Sequence, residues 1–73
     1  MSRLELRNVE DVIEQEIGDG FTQRKVASTY ALALASSFPI DWHRINAAIM
    51  QRWSRPGLAA VKRRAWKLHE ARR

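Results

Sequence analysis

Apolar side chains recur every three or four positions along most of this chain, in four stripes separated by breaks that contain glycine or proline. Val9, Val12, Ile13 and Ile17 make the first stripe, and Val26, Tyr30, Ala33 and Leu34 the second. Trp42, Ile45, Ile49 and Trp53 make the third, and Leu58, Val61, Ala65 and Leu68 the fourth. Such steps keep side chains on one face of a helix with about 3.6 residues per turn. The breaks are Gly18-Asp19-Gly20, the segment before Pro39, and Ser54-Arg55-Pro56-Gly57. The pattern predicts an all-α fold, a small bundle of three to four helices whose last two form a helix–turn–helix hairpin. Residues 1–7 (MSRLELR) alternate polar and apolar with no second strand to pair with, and they read as a loose N-terminal arm.

Capping residues sharpen these limits. Asn8 is an N-cap for the first helix, with Glu10 and Asp11 in the turn where the helix dipole favours acids, and Gly18 is its expected left-handed stop. Thr22 caps the second helix, expected over Gln23 to about Ser37 and stopped by Pro39. Phe21 and Val26 have the spacing of a hydrophobic staple, but Lys25 stands where a capping box needs Glu. Asp41 caps the third helix, and Ser54, with Pro56 in the first turn, caps a fourth.

Charge divides the chain more sharply than hydropathy does. Residues 1–20 hold six acids against Arg3 and Arg7, whereas residues 21–73 hold eleven Lys or Arg against Asp41 and Glu70. The formal net charge of +5 thus conceals a negative head and a strongly positive body. We divide the chain accordingly into an acidic arm and short mobile helix (1–20) and a basic helical domain (21–73). A body of this kind meets a polyanion or an acidic protein surface, and the head either clasps the basic helices or recruits a second partner.

Size and composition exclude several classes. A chain of 73 residues makes a thin core, and one of this size supplies only about 3–5 kcal/mol unaided. There is no cysteine to staple it or to hold a thiolate metal site. The acidic head lacks the form of a secretion signal, and the apolar run from Tyr30 to Ala35 is too short to span a bilayer. A monomer of the bacterial cytoplasm without membrane contact is the expectation. No nucleophile motif or converging carboxylates mark a catalytic site, so we expect no enzyme and no cofactor. His43 and His69 have no second ligand at helical spacing, and no metal site is expected.

Binding features remain. Lys62, Arg63 and Lys67 form a basic face on the last helix, joined by Arg64, Arg72 and Arg73, and Arg44, Arg52 and Arg55 are candidates to widen it. Part of this charge favours the helix dipole and solubility. A DNA reader would place the helix from Gly57 onward in the major groove. Its first side chains, Gly57, Leu58, Ala59 and Ala60, reach no base edge, which leaves phosphate contact. Val26, Tyr30, Ile45 and Ile49 are the candidate lining of an apolar groove for a partner's amphipathic segment. Trp66 lies off the fourth stripe, between Lys62 and His69, and is a candidate interface anchor.

The stretch RINAAIMQRWSRPGLAAVKRRAWKL (44–68) resembles sequence from small phage regulators. By length, basic charge, lack of cysteine and helical pattern, the whole chain is similar to the small RNA-polymerase-binding proteins of lytic Xanthomonas phages. That resemblance implies a phage-encoded transcription inhibitor that binds the N-terminal region of the largest subunit of host RNA polymerase. It implies inhibition of sigma-dependent initiation and promotion of antitermination. The rival reading is a phage DNA-binding helix–turn–helix repressor or activator, with nucleic acid as the partner.

Overall fold

The computed structural model describes residues 8–72, which form three helices and no strand: α1 (Val9–Gly18), α2 (Gln23–Leu34) and α3 (Trp42–Ala71). The expected arm over residues 1–7 lies outside the described residues. All three N-caps act as their residue types dictate. Asn8 Oδ1 accepts from the Asp11 amide at 2.9 Å, Thr22 Oγ1 from Lys25 at 3.2 Å and Asp41 Oδ1 from Arg44 at 3.1 Å. Each satisfies an amide that the first helical turn leaves without an intrahelical acceptor.

The helix ends differ from expectation. Gly18 closes α1 in helical conformation, and Gly20 instead takes the left-handed backbone, with φ of 82°. The turn there is fastened by Phe21 N–H donating to the Glu16 carbonyl at 3.0 Å. α2 stops at Leu34 instead of running to Ser37. The Ala35 amide still reaches back to the Ala31 and Leu32 carbonyls, but beyond it Ser36 Oγ accepts from Phe38 N–H at 3.0 Å. Side-chain turns of that kind compete with helical hydrogen bonding, and here one ends the helix before Pro39 has to.

The break expected over Ser54–Gly57 contracts to a single residue. Ser54 has φ 63° and ψ −173°, the only non-helical backbone within α3, while Arg55, Pro56 and Gly57 are already helical. α3 thus comprises two helical runs, 42–53 and 55–71, that meet at Ser54, where the sequence places the break before its fourth helix. Pro56 is tolerated because it sits just after the kink, where its missing N–H lies at the start of a new helical run.

The core gathers one or more residues from each stripe. Ile13, Val26, Ala27, Ala31, Ile45, Ile49, Val61 and Ala65 are essentially inaccessible, and Tyr30 nearly so. Trp42, Trp53, Leu58 and Leu68 pack against them from the margin. Tyr30 lies tilted against Trp42, ring centroids 5.1 Å apart, and donates its hydroxyl to Asn46 Oδ1 at 3.1 Å. Small residues on α2 (Ala27, Ala31, Ala33) let its backbone approach its neighbours closely. Among the described residues no helix is long and apolar enough to cross a membrane.

Candidate functional site

The acids of α1 are spent inside the fold. Glu10 is buried and accepts from the Asp41 amide at 2.7 Å, so one carboxylate of α1 meets the N-terminus of α3 where the helix dipole favours it. Glu16 is buried and accepts from the Thr29 hydroxyl at 2.7 Å, tying α1 to α2, while its second oxygen has no partner. Arg44 takes both oxygens of Glu14 through Nε and Nη2 at 2.7 Å, and Nη2 also reaches Asp11 at 2.7 Å. The hydrogen bond from Arg44 holds the Glu14 carboxyl below the usual carboxylate range, and the Glu14 hydrogen bond in turn raises Arg44 above the usual guanidinium value. These are the ion pairs of the described residues. The acidic helix thus engages Arg44 on the first half of α3 and makes no ion pair with Lys62, Arg63 or Lys67.

Arg44 accordingly leaves the candidate basic patch. Arg52 lies 5.3 Å from the centroid of the Trp53 ring, a cation–π placement beside the kink. The apolar groove also needs correction. Val26, Ile45 and Ile49 are fully inaccessible and Tyr30 retains 3% of its surface, because the side chains assigned to a groove are the ones the three helices close over. A thin core spends its best apolar residues on itself. The same period that marks a groove marks a core stripe, and spacing alone does not separate them.

The basic face stands in the open. Lys62, Arg63, Arg64 and Lys67 are exposed on the second half of α3, and Trp66 keeps 47% of its surface. The Trp66 ring meets His69 edge-on, at 5.6 Å between centroids and 80° between planes. Its indole therefore has its aromatic contact along its own helix and leaves much of its surface to solvent.

A cleft of about 480 Å³ opens between the start of α2 and the second half of α3. Its walls carry four cations, Arg24 from α2 and Arg63, Arg64 and Lys67 from α3, over a floor that includes Ala60 and Leu68. None of the four has an ion-pair partner among the described residues. The first turn of α2 contains no acid, whereas α1 has Glu10 and Asp11 in the same place. The partial positive charge of the α2 N-terminus is thus not compensated by an acid, and Arg24 adds to it. Like charges held in a concavity raise the local potential and attract anions.

Of these wall residues, the sequence singled out Arg63 and Lys67, joined Arg64 to them, and missed Arg24. Arg24 was legible only indirectly, in the acid-free first turn of α2 and in Lys25 standing where Glu belongs. Its meeting with α3 is a tertiary fact with no local signature. Catalytic geometry has no counterpart in this cleft, whose walls hold no carboxylate, hydroxyl or imidazole. His43 and His69 stand twenty-six positions apart on α3, and no group of three or more His, Asp or Glu among the described residues is placed to share a metal. Compared with known proteins, the chain matches no family model, no curated protein and no solved structure.

Proposed function

We propose that this chain is a non-catalytic binding module that holds the phosphate backbone of nucleic acid on the second half of α3, and regulates transcription by occupying it. The observation that carries the reading is the convergence of four unpaired cations on one cleft without an acid among its walls. Phosphate contact needs only such charge, whereas base readout needs side chains that reach a base edge. In a helix–turn–helix mode the residues entering the groove are Gly57, Leu58, Ala59 and Ala60, which supply none, so the binding proposed is nonspecific in sequence. A shift assay against unrelated duplexes and single strands over a salt series tests this. The expected result is binding of every sequence with log affinity falling steeply against log salt; no binding at low salt overturns the reading.

A second reading is supported by Trp66 and by the resemblance of residues 44–68 to phage regulators. An exposed Trp among Lys and Arg has the composition of a protein-interface hot spot. In this reading the chain, as a monomer in the host cytoplasm, docks on bacterial RNA polymerase, inhibits sigma-dependent initiation and promotes antitermination. With Val26, Tyr30, Ile45 and Ile49 buried, the docking surface is the basic face around Trp66 in place of an apolar groove. Recovery of polymerase subunits from lysate that survives both nuclease and high salt, with no shift of free nucleic acid, selects this reading over the first.

A further inference from the structure

We infer that the partner is an unpaired strand: the cleft between the start of α2 and the second half of α3 seats its phosphates, and Trp66 takes the stack of a neighbouring base. The inference rests on the nucleic-acid reading above and deepens it. Three independent features of the surface meet in it.

The first is shape. A duplex is contacted by a helix lying in its groove or by charge on a convex face, and the segment from Gly57 to Ala60 has nothing to put there. Here the cations line a hollow of about 480 Å³, room for a phosphate with its sugar to enter. A flexible strand can thread its backbone into a hollow at no cost in base pairing. The second feature is charge drawn from two elements. Arg24 approaches from α2 and Arg63, Arg64 and Lys67 from α3, so a phosphate between them is contacted from opposite walls and neutralises the repulsion that otherwise sets these side chains apart.

The third is the aromatic surface. Trp66 follows Arg63 by three positions, and residues so spaced on a helix are neighbours, with Cβ atoms about 5–6 Å apart. The exposed indole is thus one step along α3 from the rim of the cleft, next to where the strand leaves it. Proteins that hold single strands without sequence preference combine these two parts, a positive groove for the backbone and an aromatic ring for bases. Lys62 and Arg63, four and three positions before Trp66, are its neighbours on the helix surface and provide for the phosphates beside the stacked base.

The test is fluorescence anisotropy of the full chain with a labelled oligothymidylate, a labelled duplex hairpin, and pyrophosphate as competitor. The intact chain is expected to favour the single strand over the duplex. Trp66→Ala is expected to weaken the single-strand complex about tenfold, the scale of one lost base stack, with little effect on duplex, while Trp66→Phe retains most of the affinity. Arg24→Gln with Arg64→Gln is expected to flatten the slope of log affinity against log salt by about 1.4, two single-strand phosphate contacts. Circular dichroism confirms that each variant stays helical, and all these sites are exposed. Equal affinity for strand and duplex with Trp66→Ala neutral overturns the inference and leaves nucleic-acid binding standing. An unchanged salt slope in the double variant overturns the cleft as the seat. Pyrophosphate displacing the strand fully at equal concentration assigns the cleft to small phosphates and overturns the strand as its partner. No binding to either nucleic acid removes the reading beneath it as well.

Discussion

Gly57 lies against the side chain of Trp53, its neighbour four positions earlier, with no room for a Cβ between them. In a regular helix such a pair is separated by about 5–6 Å at the Cβ atoms. The turn at Ser54 closes that gap. Kink and glycine are therefore one device, and Gln23 of α2 reaches the same point, with Nε2 at 3.5 Å from where a Cβ would sit.

Gly57→Ala is expected to destabilise the fold. Alanine gains about 1 kcal/mol over glycine in helix propensity, but the opposing atom belongs to the Trp53 Cβ, which is fixed to the backbone and has no rotamer that moves it away. Relief requires the kink to open and α2 to yield, on the scale of overpacking, about 1–3 kcal/mol. Urea unfolding followed by tryptophan fluorescence measures it. A gain in stability shows that the kink does not close on Trp53 as described.

Ser54→Gly is expected to have the opposite sign. A serine at φ 63° and ψ −173° occupies a region that is essentially glycine's, at a cost on the order of 1–3 kcal/mol. Glycine removes that strain, offset by about 0.5–1 kcal/mol of extra chain entropy in the unfolded state. The net expectation is roughly 1 kcal/mol of added stability in urea unfolding. A loss of stability of the same size argues that Ser54 is held by a contact worth more than its strain.

Local chemistry explains how much of this fold can be read without coordinates. Asn8, Thr22 and Asp41 announce their helices because a cap acts on amides two or three residues away, and all three were legible. The stripes likewise place Ile13, Val61 and Ala65 inward, whereas Ile45 and Ile49, equally buried, lie on a stripe whose spacing also fits a groove. Glu10 and Glu16 were opaque for the opposite reason. Acids on a short helix read as solvent-facing, and only the tertiary meeting with Asp41 and Thr29 makes their burial possible. The cleft shares that opacity, since Arg24 and Arg64 are forty positions apart.

Ile13→Ala tests whether α1 belongs to the folded unit. Ile13 is fully buried with Val26, Ile45 and Ile49, and a truncation of this kind costs about 2–5 kcal/mol. A domain whose core supplies only about 3–5 kcal/mol has little left after that loss. The variant is expected to lose most of its helical circular dichroism at room temperature. Retention of the signal of α2 and α3 shows instead that the acidic head is a separable arm.

Stability is expected to fall at both ends of the pH scale, for two identifiable groups. Glu14 has a folded value below its ordinary 4.5 because Arg44 donates to it, so the ionised form is the one favoured by folding. Its contribution is complete above 4.5 and is lost as pH falls through the lower folded value. The two side chains keep 39% and 40% of their surface, enough solvent contact to make the acid limb shallow and to let salt weaken it further. Tyr30 has the reverse sign: burial raises its phenol above the ordinary 10.0, the neutral form is favoured by folding, and its contribution is lost as pH rises through the raised value. Arg44 adds nothing on the alkaline side, since it stays charged throughout. Melting temperatures across the pH range for the parent, Glu14→Gln and Tyr30→Phe separate the two limbs. Glu14→Gln is expected to flatten the acid limb, Tyr30→Phe the alkaline one, each leaving the other in place. An acid limb unchanged in Glu14→Gln overturns the assignment of that limb to the Glu14–Arg44 pair.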